Sequence, residues 1–128
     1  MEFQNTLMET LGIETVELTK DKVVLSMPVS PTVHQPMGYL HGGASVVLAE
    51  SAASIGSFLN VDPSEKQVFG IEINANHVRS MREGTLFATA TPIHIGRMTM
   101  VWEIQMRNEQ DQLISTSRCT IGVVDQSK

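Results

Sequence analysis

The chain has 128 residues, 41% hydrophobic and 18% charged, with nine Lys and Arg against fourteen Asp and Glu and a single cysteine, Cys119. A net charge of −5 argues against a nucleic-acid partner or an anionic membrane surface, since both need a basic face to displace counterions or meet headgroups. One cysteine cannot close an internal disulfide or a CxxC metal knuckle. A chain this long buries about two-thirds of its unfolded surface, so residues 1–128 read as one reduced, cytoplasmic domain held by its core. The start, Met1-Glu2-Phe3-Gln4-Asn5, lacks the basic-then-apolar pattern of an export signal, and no apolar run reaches the ~20 residues of a bilayer span.

In chain order, Phe3, Leu7, Met8 and Leu11 at helical spacing predict a short helix over residues 2–11, with Gly12 at its C-terminal cap. Residues 13–19 and 22–30, rich in β-branched and aliphatic side chains, predict a hairpin about Lys20-Asp21 that Pro31 ends. The segment 41–60 differs: eleven of its twenty residues are Gly, Ala or Ser, and Glu50 is its only acid or base apart from His41. An exposed helix carries charge on its outer face, so this one reads as a helix surrounded by protein. After a loop at 61–66 come four strand-like runs, 67–81, 84–95, 99–107 and 112–124. The turns between them, Arg82-Glu83-Gly84, Gly96-Arg97-Met98 and Asn108-Glu109-Gln110-Asp111, are polar or Gly-bearing, as hairpins require. In the third run Met100, Trp102, Ile104 and Met106 share one face, which puts Trp102 in the core. One buried helix and a meandering antiparallel sheet that must curve around it make an α+β domain.

Signatures for dinucleotides, P-loops, zincins, calcium loops and hydrolase elbows are absent, and His34, His41, His77 and His94 are too scattered to specify a metal site. Chemistry concentrates in His34-Gln35-Pro36-Met37-Gly38-Tyr39-Leu40-His41-Gly42-Gly43-Ala44-Ser45, just ahead of and into the small-residue helix. A helix starting at residues 41–43 aims unpaired N–H groups and its positive dipole end at a developing oxyanion; equally, Gly42-Gly43 serves as a turn and cap. Glu50 in an enclosed helix must be paired with an arginine, protonated, or used chemically. Burial would raise its pKa toward the range of a general base, or keep it poised as a nucleophile.

Gly42 and Glu50 are eight residues apart, about 12 Å along a helix. That is too far for both to act on one carbonyl, whose oxygen needs a donor within about 3 Å. Either the two do not cooperate, or a two-fold dimer brings one copy's helix start beside the other's Glu50.

Four blocks then carry a family resemblance: His34-Gln35-Pro36, Leu40-His41-Gly42-Gly43-Ala44-Ser45-Val46-Val47-Leu48-Ala49-Glu50-Ser51, Gly70-Ile71-Glu72-Ile73-Asn74-Ala75-Asn76-His77-Val78-Arg79-Ser80, and His94-Ile95-Gly96-Arg97. Over nearly the whole chain the sequence resembles the hotdog-fold acyl-CoA thioesterases. The branch it is similar to is that of second-type 4-hydroxybenzoyl-CoA thioesterases, with phenylacetate-pathway and 1,4-dihydroxy-2-naphthoyl-CoA members. The resemblance implies a long central helix wrapped by a curved antiparallel sheet, a homodimer at least and a homotetramer as a dimer of dimers, with composite active sites. It implies hydrolysis of an aromatic, aryl or naphthoyl, CoA thioester to free acid and CoA, with no cofactor and no metal, and a place in menaquinone biosynthesis for some members.

By the same resemblance, Glu50 aligns with the nucleophile or general base. Gln35 would orient the carbonyl or leaving sulfur, and the Gly42 N–H would polarise the C=O. His41 would hold the thioester or the attacking water, and Ser54, one turn after Glu50, would position that water or the carboxylate. For the CoA moiety the resemblance implies His77, Arg79, Ser80, Gly96 and Arg97. All five arginines, at 79, 82, 97, 107 and 118, lie in the second half of the chain, and a guanidinium fork suits phosphate oxygens. Met37, Tyr39 and Phe58 are expected on the acyl pocket wall. Two rivals share the fold. A hydratase acting on enoyl-CoA would favour an Asp and His pair, yet the aspartates at 21, 62, 111 and 125 all lie off the helix. An acyl-CoA-sensing module would bind without turnover, against which stands the intact set of Gln35, His41, Gly42 and Glu50.

Overall fold

The computed structural model describes residues 2–126; Met1, Ser127 and Lys128, the ends of the expected 1–128 domain, lie outside the described residues. Its elements are α1 (Leu7–Thr10), β1 (Glu14–Leu18), β2 (Val23–Pro28), α2 (Gly42–Phe58), β3 (Lys66–His77), β4 (Thr85–Ile95), β5 (Thr99–Arg107) and β6 (Leu113–Asp125), with a 3-10 turn at Pro31–Val33. Among the described residues the strands form one antiparallel sheet in the order β1-β2-β4-β5-β6-β3. α2 packs against β2 through β6, so the sheet curves around it. This is the expected α+β arrangement of a helix held in a sheet, and among the described residues no helix is long and apolar enough to cross a membrane.

The core forms where sheet alternation meets the small residues of α2. Met100, Trp102, Ile104 and Met106 are buried as their spacing predicts, together with Leu25, Met27, Leu86 and Ile121 from neighbouring strands. Trp102 fits because α2 offers Gly56 there: a Cβ on Gly56 would sit 2.5 Å from a ring atom of the indole. The next residue of α2 satisfies the ring's polar edge, since Trp102 Nε1 donates to Ser57 Oγ at 2.8 Å. Burying one indole removes roughly 150–250 Å² from water, about 4–6 kcal/mol as an upper bound.

Four expectations change. The opening helix shrinks from residues 2–11 to Leu7–Thr10, because Asn5 adopts a left-handed φ of 62° that breaks any helix through it. β3 ends at His77, four residues short of Met81, as Val78 and Arg79 turn their N–H groups onto the Ile114 carbonyl at 2.8 and 3.3 Å. β3 and β4 are not hairpin partners either. β3 pairs with β6, β4 pairs with β2 and β5, and residues 78–84 cross between them, with Gly84 at φ 93°. The same topology leaves α2 incompletely covered: Val47, Glu50 and Ser54 are half-buried and Phe58 is exposed, along one stripe of the helix. Beside that stripe β3 forms a sheet edge, on which Phe69 and Ile71 are 56% and 61% exposed.

Cys119 sits on β6 between Ile73 of β3 and Trp102 of β5, fully buried. Burial, then the negative charges of Glu50 and Glu72, push its thiol up to about 12 from an ordinary 9.0. The folded protein therefore holds this proton more tightly than the unfolded chain. The associated stability is complete below pH 9.0 and is lost as pH rises toward about 12. Thermal melts taken between pH 8 and pH 11 should show a falling Tm that flattens in Cys119→Ala, and native Cys119 should resist alkylation at pH 8; rapid native labelling would contradict this.

Candidate active site

The start of α2 is built by His41, whose Nδ1 accepts from the Gly43 N–H at 2.8 Å. His41 is thus the helix cap, and the same bond directs a neutral ring's proton to Nε2, on an exposed side chain. Gly42 is the first helical residue, and its N–H finds no acceptor among the described residues. Packed against it is the end of β3: a Cβ on Gly42 would lie 2.6 Å from His77 Nε2. Glycine at 42 therefore leaves room for the His77 ring and leaves a backbone donor open at the positive end of the helix.

Gln35 reaches this point from the loop before α2. The loop closes on itself, with Gln35 N donating to the Tyr39 carbonyl at 2.8 Å, Gly38 N donating to the Gln35 carbonyl at 3.0 Å, and Gly38 at φ 85°. Met37 N donates to Gln35 Oε1, which leaves the amide nitrogen as the free end of the side chain. The loop is tied to the 78–84 crossing. Leu40 N donates to the Met81 carbonyl at 2.7 Å, His34 Nε2 lies 2.7 Å from the Arg82 carbonyl, and Arg82 Nη2 donates to Tyr39 Oη at 3.0 Å. That last bond to the Tyr39 oxygen raises the Arg82 guanidinium above its ordinary value.

These segments enclose a cleft of about 350 Å³ whose lining includes Gln35, Gly42, His77, Arg79 and Ser80. Five of the ten expected site residues thus meet in one place. Of the three residues expected on the acyl pocket wall, Tyr39 lines this cleft, whereas Met37 projects from the loop at 71% exposure and Phe58 stands at the far end of α2. Gly96 and Arg97 line a different cleft, of about 400 Å³, beyond the C-terminal end of α2 with Asn60, Lys66 and Met100.

Glu50 lies elsewhere again. Its carboxylate rests over the backbone of Gly70 on β3, where a Cβ would come within 2.1 Å of Oε2. Ser54 follows one turn later on the same face. Glu50 is half-buried, and among the described residues it forms no ion pair, so the arginine-paired alternative drops out. Gly42 and Glu50 share one continuous helix, so about 12 Å along its axis separates the carboxylate's residue from the open N–H within one chain. Two serines join this region: Ser45, the last residue of the segment in which the chemistry concentrates, lines the cleft, and Ser115, which no local pattern announces, touches His77 through the β3–β6 pairing.

A family model described as "Thioesterase superfamily" matches residues 37–115, more than half of the chain and inclusive of Gly42, Glu50 and His77. The chain belongs to the thioesterase superfamily. It is a hydrolase of acyl-CoA thioesters. Among its relatives, a 1,4-dihydroxy-2-naphthoyl-CoA hydrolase of Listeria monocytogenes is 54% identical over 122 residues, covering 95% of this chain and 98% of the relative. A solved thioesterase from Haemophilus influenzae superposes with a TM-score of 0.93 at 40% identity, covering 98% of this chain and 87% of that one.

A Staphylococcus aureus relative has been solved in two variants. The one described as a thioesterase enzyme carries Gln→Ala (TM-score 0.90, 43% identity, 91% of this chain and 97% of that one), and the other carries Glu→Ala (0.92, 42%, 94% and 99%). In that thioesterase-superfamily relative the replaced Gln and Glu stand fifteen residues apart, the separation of Gln35 and Glu50.

Proposed function

We propose that this thioesterase hydrolyses aromatic CoA thioesters, with 1,4-dihydroxy-2-naphthoyl-CoA within the class, at sites shared between two copies of the chain. The observation that carries the composite site is the separation within one protomer. The Gly42 N–H and Gln35 occupy one cleft, while Glu50, which has no ion-pair partner among the described residues, lies over Gly70 on the exposed edge of β3. An edge of twelve residues bearing exposed Phe69 and Ile71 is a surface that a monomer ordinarily shields. Antiparallel pairing with β3 of a second copy satisfies that edge. With the two-fold between Ile73 and Asn74, Gly70 of one copy stands opposite His77 of the other, and Glu50 meets the other copy's Gly42. A dimer of such dimers gives the homotetramer. The naphthoyl assignment leans on the Listeria relative's name and 54% identity.

In this reading the thioester oxygen sits on the Gly42 N–H, supported by the Gln35 amide, and the charge that develops there is met by the helix dipole. Glu50 from the second copy either attacks the carbonyl carbon, giving a mixed anhydride that water then opens, or takes a proton from the attacking water. In both routes the C–S bond breaks, CoA leaves as thiol, and water supplies the acid's new oxygen. His41 holds the thioester or the attacking water, Ser54 positions that water or the carboxylate, and His77, Arg79 and Ser80 border the path of the CoA arm. Gly96 and Arg97, at the far end of α2, are proposed to receive its phosphates from the neighbouring copy. Release of free thiol from a panel of benzoyl-, hydroxynaphthoyl- and long-chain acyl-CoA esters tests the reading. Turnover is expected to favour the aromatic esters by about tenfold or more, as a pocket shaped for a ring gains 1–3 kcal/mol over a mismatched chain. Binding of all esters without thiol release, or a preference for long-chain esters, would contradict it.

A further inference from the structure

We propose that Ser115 is a positioning residue: it fixes the tautomer of His77 so that Nε2 faces the cleft as a hydrogen-bond acceptor for an O–H group. Ser115 is fully buried on β6, directly opposite His77 in the β3–β6 register. Its Oγ lies 3.1 Å from the Asn76 carbonyl and 3.0 Å from His77 Nδ1. A carbonyl only accepts, and a serine hydroxyl has one proton, so that proton goes to Asn76. The lone pairs of Oγ are then all that is left for Nδ1, which must donate. A neutral imidazole carries one ring proton, so Nε2 is a bare acceptor.

Nε2 is also the atom held against Gly42, 2.6 Å from where a Cβ there would lie, and His77 lines the same cleft. The start of α2 therefore presents a donor and an acceptor side by side: the open Gly42 N–H and the His77 lone pair. A carbonyl oxygen on the first cannot also satisfy the second, which needs a hydrogen from a group next to the carbonyl. Two sources supply one, the attacking water and a hydroxyl on the aromatic acyl group. This role rests on the thioester reading, whereas the tautomer itself does not.

The test uses the full-length protein labelled with 15N, and long-range 1H–15N correlations at a pH of about 8, where imidazoles are neutral. In the unsubstituted protein the His77 proton is expected on Nδ1. In Ser115→Ala it should move to Nε2, and in Ser115→Thr, which keeps the hydroxyl, it should stay on Nδ1. For benzoyl-CoA and 2-hydroxybenzoyl-CoA, Ser115→Ala should lower kcat by about tenfold with KM within about twofold, the scale of one misdirected hydrogen bond, and Ser115→Thr should recover most of the loss. An equal loss on both esters identifies water as the donor; a loss confined to the hydroxylated ester identifies the acyl hydroxyl. A His77 proton on Nε2 in the unsubstituted protein, or Ser115→Ala with tautomer or kcat unchanged, overturns the proposal. An unsubstituted protein that cleaves neither ester while its His77 proton sits on Nδ1 instead sinks the thioester reading alone.

Discussion

Glu50→Gln should lower kcat for aryl-CoA hydrolysis by about 100- to 10,000-fold, the range a positioned base or nucleophile contributes. Gln is nearly the same shape, so the contact over Gly70 survives while the negative charge and the attacking lone pair do not. Glu50 forms no ion pair among the described residues. Removing its charge strands no buried cation, and the fold should change in stability by no more than about 0.5–1 kcal/mol. Steady-state thiol release paired with a thermal melt separates the two effects. A Glu50→Gln protein within about tenfold of the native kcat would remove Glu50 from the chemistry.

Gly70→Ala should damage the same step less severely, although residue 70 carries no functional group. A Cβ there would lie 2.1 Å from Glu50 Oε2. The atom in the way is the tip of a flexible side chain rather than backbone, so the carboxylate swings aside and the strand folds as before. A displacement of about 1 Å at a reacting group costs on the order of 100-fold in rate. The expected result is a kcat reduced by about 10- to 100-fold, a Tm within about 4 °C of the native protein, and an unaltered oligomer. Shortening the side chain in Glu50→Asp should relieve the clash without restoring the geometry, so the double variant should gain nothing. Native kcat in Gly70→Ala would mean that the carboxylate does not work from its place over residue 70.

What the sequence reveals here is what depends on near neighbours. The start of α2 is legible because a His-Gly-Gly step opens a helix of small residues, and the cap at His41 follows from side-chain reach over two positions. The buried face of β5 is legible because alternation is local. Partnership between distant strands is not. Arg82-Glu83-Gly84 suits a hairpin turn, yet the same polar residues and the same positive φ at Gly84 equally suit the crossing from β3 to β4. Ser115 and His77 meet only through the β3–β6 register, thirty-eight positions apart, so no motif search brings them together. Glu50 shows a different boundary. The scarcity of charge on α2 predicts an enclosed helix, and one protomer leaves Glu50 half-buried. In the proposed composite site the composition of that face would answer to a surface on a second copy, which lies outside the pattern of any single chain.

The composite site is the central claim, and mixing two inactive chains tests it most directly. Glu50→Gln and Gln35→Ala proteins, each nearly inactive alone, are dissociated, combined in equal amounts and allowed to reassociate. If Glu50 works with Gln35 and Gly42 of the other copy, each mixed dimer holds one site with both changes and one with neither. About half of the dimers are mixed, so about a quarter of native thiol-release activity should return. If each chain builds its own site, every site keeps one defect and the mixture stays as inactive as its parts, which would contradict the account.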